Sequence, residues 1–294
     1  MILVHGGAGQ VAPDRQERVR AGLRAAAAAG RAILERGGTA LDAVVGAVRV
    51  LEDDPEFGAG IGSAFTREGT VETCASVMDG SKRRAGAVAA VPNFGMPVVL
   101  ARAVLEAGEH VVLAGGAALQ YASEIGMQPA APNGLVTERS AAQFRQAQAH
   151  RGAPPGFNEG GGVGAVARDK TGAMAAATST GGTLYRRAGA IDDSAVPGAG
   201  TWADTDCAIS TSGGEALFRV ALAHNIAMRV ADGKSIRAAA KSALQELKKL
   251  APKEAVAGAI MVSKDSWAAL NVGPHMPVAW IDDFGPNEAM GFEL

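Results

Sequence analysis

Aromatic side chains make up only 4% of the 294 residues, and cysteine occurs twice, at Cys74 and Cys207. Two cysteines build no disulfide framework, which fits a reducing compartment. No apolar run reaches the roughly 20 residues needed to cross a bilayer. The chain starts Met1-Ile2-Leu3-Val4-His5-Gly6, with no basic segment leading into an apolar one, so no signal peptide is expected. A net charge of −2 without a basic block argues against a nucleic-acid surface. These absences predict a soluble cytoplasmic protein with neither nucleic acid nor membrane among its partners.

Hydrophobic residues make up 48%, and glycine is abundant at 39. A core poor in aromatics has to be built from Ala, Val, Leu and Ile, with backbones that approach closely. The length suits one large domain or two average ones and can bury a substantial core. It is read here as one domain over 1–294, with a linker region over 126–161 before a central hairpin.

Ile2-Leu3-Val4 reads as a buried strand running into His5-Gly6-Gly7-Ala8-Gly9. That turn lacks the spacing of a phosphate-binding loop, so close backbone packing is the expected role and His5 is expected to be structural. Helices follow over Asp14–Arg36, stopped by Gly37-Gly38, and from a Thr39/Asp42 capping box through Leu51. Thr70–Met78 and Ala85–Val91 read as strands, Val98–Glu106 and Ala117–Ile125 as helices, with Val111–Leu113 a short strand between them. Gly126–Gly134 reads as loop, Thr137–His150 as a polar helix and Arg151–Gly161, with Pro154-Pro155, as linker.

The central hairpin covers Gly160 to Gly182, its two strands joined at Asp169–Gly172. The second strand ends in Thr178-Ser179-Thr180-Gly181-Gly182, where a backbone can come close to a ligand. Thr183 to Asp206 reads as mostly loop. A strand over Ala208–Ser210 leads to Ser212-Gly213-Gly214-Glu215, a glycine pair before a helix through Val230 that can face an anion or a carbonyl oxygen. A helix over Ser235–Leu250 and a last hairpin, Gly258–Ser263 with Trp267–Val272, complete the chain. This order lacks regular βαβ alternation and predicts an α+β fold, antiparallel sheets with helices segregated outside.

Taken together, these segments resemble the plant-type L-asparaginase/isoaspartyl peptidase family of N-terminal-nucleophile hydrolases. The resemblance rests on His5-Gly6-Gly7-Ala8-Gly9, Leu51 to Ser63, Ser76-Val77-Met78-Asp79-Gly80 and Ala85 to Ala89. It continues through Val163 to Ala167, Ala177 to Gly182, Asp193-Ser194, Gly198-Ala199-Gly200 and Gly213-Gly214-Glu215. It implies a four-layer αββα sandwich and a homodimer. Family members cut themselves in the linker and free a threonine whose amine serves as base for its own hydroxyl. That hydroxyl attacks an asparagine side-chain amide or a β-aspartyl bond, with donors from the later glycine loop holding the oxyanion.

In this chain the threonine position is Gly162, which carries no nucleophile. The family's substrate-carboxylate arginine falls on Ala190 by ungapped count from Thr180, with Arg186 and Arg187 nearby, and its loop asparagine falls on Gly58. Ser212, Gly213 and Gly214 stand where the oxyanion loop is expected, one residue short between the glycines. Thr180 is the retained second threonine. Asp193 matches the aspartate that holds a substrate amino group, a loop hydrogen-bond acceptor being its alternative role. Replacement by Cys74 or Cys207 needs a base, and no histidine neighbours either in sequence, so both are expected to be structural.

The loop of Leu51, Glu52, Asp54, Phe57, Ala59 and Ile61 reads by its residues as a solvated turn. The resemblance implies that its main-chain carbonyls hold a sodium ion. No other cofactor is expected. The sequence thus predicts an asparaginase-family protein that stays uncleaved and lacks the standard activity. The alternatives are an active asparaginase or isoaspartyl peptidase whose nucleophile has been replaced, and a protein that reuses the pocket for a small amino acid or dipeptide.

Overall fold

A computed structural model describes residues 1–152, 161–251 and 255–294. Most of the Arg151–Gly161 linker, with Pro154-Pro155 and Gly160, lies outside the described residues. The first half comprises β1 (Ile2–His5), α1 (Gln16–Glu35), α2 (Ala40–Asp53), β2 (Glu72–Asp79), β3 (Arg84–Pro92) and α3 (Pro97–Ala107). It continues with β4 (Val112–Ala114), α4 (Gly115–Glu124) and α5 (Glu138–His150). The second half comprises β5 (Val163–Arg168), β6 (Met174–Thr180), β7 (Thr201–Ala203), β8 (Cys207–Ser212), α6 (Ala216–Val220) and α7 (Leu222–Ala231). It ends with α8 (Ile236–Leu250), β9 (Ala257–Ser263), β10 (Trp267–Val272), β11 (Val278–Asp282) and β12 (Gly285–Ala289).

Eight strands form one sheet in the order β12-β11-β1-β5-β6-β2-β3-β4, and four form a second in the order β10-β9-β8-β7. Neighbours are antiparallel except β3 and β4, which run parallel. Three apolar layers hold these sheets. Leu23, Val44, Val48, Leu100 and Val104 pack on one face of the large sheet, against Val163, Ala165, Ala175 and Ala177. Leu3, Val166, Met174 and Ala176 meet Ala208, Ile260, Val262 and Ala269 between the sheets. Ile209, Met261 and Leu270 meet Leu222, Ile226, Ala240 and Leu244 beyond the small sheet. The result is the expected αββα sandwich.

Side-chain alternation explains this partition. Along β5, Val163, Ala165 and Ala167 join the helix-facing layer while Val166 joins the layer between the sheets, as the twofold period of a strand requires. The Thr39/Asp42 capping box closes in both directions, Asp42 N–H donating to Thr39 Oγ1 at 3.1 Å and Thr39 N–H to Asp42 Oδ2 at 3.0 Å.

A polar chain crosses between the sheets. His5 Nδ1 accepts from Gly7 N–H at 3.2 Å, so its proton sits on Nε2, 3.0 Å from Ser210 Oγ. Ser210 Oγ lies 2.7 Å from Thr178 Oγ1, which also accepts from Thr201 Oγ1 at 2.6 Å. Ser76 Oγ lies 2.7 Å from Thr201 Oγ1 and the same distance from Ser194 O. His5, as expected, is structural.

Three features differ from the sequence reading. The helix expected from Glu215 to Val230 breaks where Ala221 takes φ 44°, which separates α6 from α7. β7 forms inside a segment read as loop. The hairpin β11–β12 closes the edge of the large sheet, whereas Trp267–Val272 was expected to end the last hairpin. Among the described residues no helix is long and apolar enough to cross a membrane.

Leu100 lies wholly buried on α3 against the large sheet. Leu100→Ala is expected to destabilise the protein by about 2–5 kcal/mol through lost transfer energy and a cavity. Urea denaturation checks this: the midpoint falls and the slope stays unchanged.

Candidate active site

The strand ends gather the sequence-predicted residues. β5 and β6 pair antiparallel with Val163 opposite Ser179, which sets Gly162 beside the Thr180 end of β6. β8 delivers Ser212 and the following Gly213 and Gly214 from the small sheet. The short turn Asp193–Ala195 brings Asp193 in from the loop after the hairpin. A cavity of about 290 Å³ is lined by Gly58, Gly161, Gly162, Thr180, Asp192, Asp193, Gly213 and Gly214, among others. Its lining does not include Ser212 or Ala190. Ser212 Oγ accepts from Ala8 N–H at 2.9 Å, and Ala190 sits in a turn, its N–H donating to Arg187 O at 3.1 Å.

Backbone contacts build much of the wall. Gly181 N–H donates to Gly58 O at 2.7 Å, holding the loop after α2 against the end of β6. Thr180 Oγ1 accepts from Gly182 N–H at 2.9 Å. Gly161 N–H reaches Ala8 O at 3.3 Å. A Cβ on Gly161 would stand 2.3 Å from Ser212 Oγ, and one on Gly162 would stand 2.3 Å from Ser179 O and 2.7 Å from Thr180 Cβ. A side chain at position 162 therefore requires the end of β6 to shift, and glycine itself carries no nucleophile.

The charged lining separates into two groups. Arg15 donates through Nε to Glu56 Oε2 at 3.0 Å and through Nη2 to Glu56 O at 2.7 Å. Arg139 donates to Glu56 O at 3.1 Å and Pro55 O at 2.8 Å. Elsewhere in the lining, Asp192 and Asp193 are both buried, and Asp193 N–H donates to Asp192 Oδ1 at 3.2 Å. Asp193 Oδ2 has no hydrogen-bond partner among the described residues. Burial first, and then the Asp192 charge, raise the Asp193 carboxyl well above the usual range. The described lining contains no histidine, lysine, serine or cysteine; its hydroxyls are Thr180 and Thr183. Both cysteines are buried and their thiols are pushed up by burial, away from the reactive thiolate.

Sequence reasoning did not single out Asp192, Arg15, Glu56 or Arg139 as lining residues. It also missed the side chain of Glu52, read only for its carbonyl. That carboxylate is fully buried, with Oε1 accepting from Ser179 Oγ at 2.7 Å and Val98 N–H at 2.9 Å. Desolvation raises it to about 8, the hydrogen bonds opposing. An acidic residue at a helix end, amid Asp53 and Asp54, carries no sequence signal of burial.

The carbonyl loop starts at the C-terminus of α2, whose last turn contains no basic side chain. Glu52 O accepts from Ile61 N–H at 2.8 Å, and Gly60 takes φ 55° where a Cβ would stand 2.2 Å from that oxygen. Asp54 O likewise accepts from Phe57 N–H at 3.2 Å; each carbonyl oxygen keeps a second lone pair, and the negative pole of α2 adds a favourable potential for a monovalent cation.

The sequence profile of the asparaginase family matches residues 1–285. The human isoaspartyl peptidase/L-asparaginase is 42% identical over 289 residues, covering 96% of this chain and 93% of that protein. The Bos taurus isoaspartyl peptidase/L-asparaginase is 41% identical, with the same coverage. An isoaspartyl peptidase of Salmonella typhimurium is 41% identical over 242 residues, 77% of either chain.

Three buried groups give stability opposed pH dependences. Glu52 rises from 4.5 to about 8 in the folded chain, so its contribution is complete below pH 4.5 and is lost as pH rises towards 8. Asp193 acts in the same direction. His5 falls from 6.5 to about 3, so its contribution is complete above pH 6.5 and is lost as pH falls towards 3. Each group contributes a slope of about 1.4 kcal/mol per pH unit within its own window. Glu52→Gln is expected to reduce the loss between pH 6.5 and 8 by the Glu52 share, leaving that of Asp193, and to steepen the rise between pH 4.5 and 6.5, where Glu52 opposes His5. Urea midpoints across that range check this, and an unchanged alkaline slope in the variant counts against it.

Proposed function

The chain belongs to the asparaginase family, a family of hydrolases, and on that footing we propose that it is a member without the family's nucleophile. It remains one uncleaved polypeptide and does not hydrolyse asparagine or β-aspartyl peptides. The observation that carries this reading is Gly162. With no hydroxyl there, nothing attacks the Gly161 carbonyl to break the chain, and nothing attacks a bound amide afterwards. Thr180 does not replace it: as an interior residue it has no free amine to take its proton, and the described lining offers no histidine or lysine.

The crowding at position 162 also bears on the replaced-nucleophile alternative. A Cβ at 162 would require Ser179 O and Thr180 Cβ to shift, which weighs against a simple exchange of one side chain. Ala190 provides no guanidinium for a substrate carboxylate, which agrees with divergence of the whole site.

We extend the proposal to a sodium ion held by the main-chain oxygens of Leu51, Glu52, Asp54, Phe57, Ala59 and Ile61. Such an ion would brace the loop whose Gly58 O receives Gly181 N–H. A cytoplasmic homodimer completes the proposal. A second reading, a binding protein for a small amine or amide, is favoured by the cavity that persists around Asp192 and Asp193.

Purified protein is expected to run as one band of full length under denaturing conditions, and two fragments split before Gly162 overturn the proposal. Gly162→Thr is expected to remain uncleaved and to release no ammonia from asparagine. Restored cleavage with ammonia release would identify an active enzyme with a replaced nucleophile.

A further inference from the structure

We infer that the open edge of β4 is a docking site for an extended peptide that alternates basic and β-branched residues, received as an added strand of the large sheet. β2 and β3 separate this edge from the hairpin of β5 and β6, so its role does not depend on the chemistry at Gly162.

β4 ends the large sheet, with β3 on one side and no strand on the other among the described residues. Its register sets Val112 opposite Ala87 and Ala114 opposite Ala89, and Ala87 N–H donates to Val111 O at 2.8 Å. In a parallel ladder the bonds run to the residues flanking the register partner. The N–H and C=O of Val112 and the N–H of Ala114 therefore point away from β3. A peptide laid along this side meets those groups as a strand does. Of the usual protections of a sheet edge, Val111-Val112-Leu113-Ala114 has neither charge nor proline. Val111 is 53% exposed and Val112 46%.

The two faces of β4 specify the side chains of the occupant. Alternation puts Leu113 on the helix side of the sheet, packed against the apolar layer there, and Val112 on the opposite face. Leu113 lines a groove of about 280 Å³ between α3, β4 and α4, with Ala117 and Tyr121 beside it. Glu109 and Glu124 supply the charge of the groove; His110 also lines it, and no lysine or arginine does among the described residues. α3 and α4 both end at this groove, and neither has a basic side chain in its last turn. Two uncompensated negative helix poles and two carboxylates favour a cation. A lysine side chain suits this arrangement, its stem covering Leu113 and Tyr121 and its ammonium reaching Glu109 or Glu124. Every second residue then falls on the Val112 face, where an exposed valine favours a β-branched neighbour. The same charge disfavours pairing of β4 with a second copy of itself, which brings two acidic rims together.

The test is fluorescence anisotropy of labelled acetyl-Lys-Val-Lys-Val-Lys-Val-amide titrated with the full chain. This peptide is expected to bind at least about tenfold more tightly than acetyl-Glu-Val-Glu-Val-Glu-Val-amide. Of two analogues, N-methylated at the lysines or at the valines, at least one is expected to lose about tenfold in affinity, since alternate N–H groups point to opposite edges of a strand. Both keep the charge of the parent, so a merely electrostatic attachment leaves them unaffected. Val112→Pro, which removes an outward N–H, and the double variant Glu109→Gln/Glu124→Gln are each expected to weaken the Lys-Val peptide by about tenfold. If Val112→Pro fails to fold, the double variant and the N-methylated analogues carry the comparison. No binding of the Lys-Val peptide, equal binding of the Glu-Val peptide, unchanged affinity of both N-methylated analogues, or unchanged affinity in a folded variant overturns the inference.

Discussion

The two sheets approach so closely at Gly164 that a methyl group there would stand 2.0 Å from Ser210 Oγ and 2.5 Å from His5 Nε2. That approach lets His5, Ser210, Thr178, Thr201 and Ser76 satisfy one another in a space closed to water. Buried polar groups of this kind stabilise only when every member finds a partner. Small residues also line the layers on either side: Ala165, Ala167, Ala175 and Ala177 face the helices, while Ala176 meets Ala208 of the small sheet. The low aromatic content and high glycine content follow from the same constraint.

The geometry that brings the sheets together also fixes the site. β5, β6 and β8 are neighbours in and across the sheets, so their ends deliver Gly162, Thr180 and the Gly213-Gly214 turn to one place. The last hydroxyl contact of the polar chain, Ser76 Oγ to Ser194 O, reaches the residue after Asp193. The acid pair thus sits on a turn anchored to the interior.

Much of this was legible in the sequence because it depends on local chemistry. The turn at Asp169–Gly172, the Thr39/Asp42 capping box and the glycine pair after β8 each arise from residues close together in the chain. The resemblance supplied the layering. What escaped was non-local. β11–β12 joins the sheet through β1, hundreds of residues away, and Gly285-Pro286-Asn287 has no strand propensity of its own. The helix break needs a left-handed Ala221, which sequence alone disfavours. Asp192 reads as a turn residue, and only the folded loop turns it, with its neighbour Asp193, towards a cavity. Glu52 likewise reads as a solvated helix end until α3 and β6 cover it.

The proposed absence of a nucleophile and the presence of the cavity have separate physical grounds. At position 162 a Cβ would stand 2.3 Å from Ser179 O and 2.7 Å from Thr180 Cβ, so a side chain there requires the end of β6 to shift. The wall is different: Gly58 O with Gly181 N–H and Gly161 N–H with Ala8 O are main-chain contacts, which tolerate many side-chain changes. A chain can therefore lose its reactive atom while the surrounding backbone keeps its shape. The side chains that remain then decide what the cavity accepts.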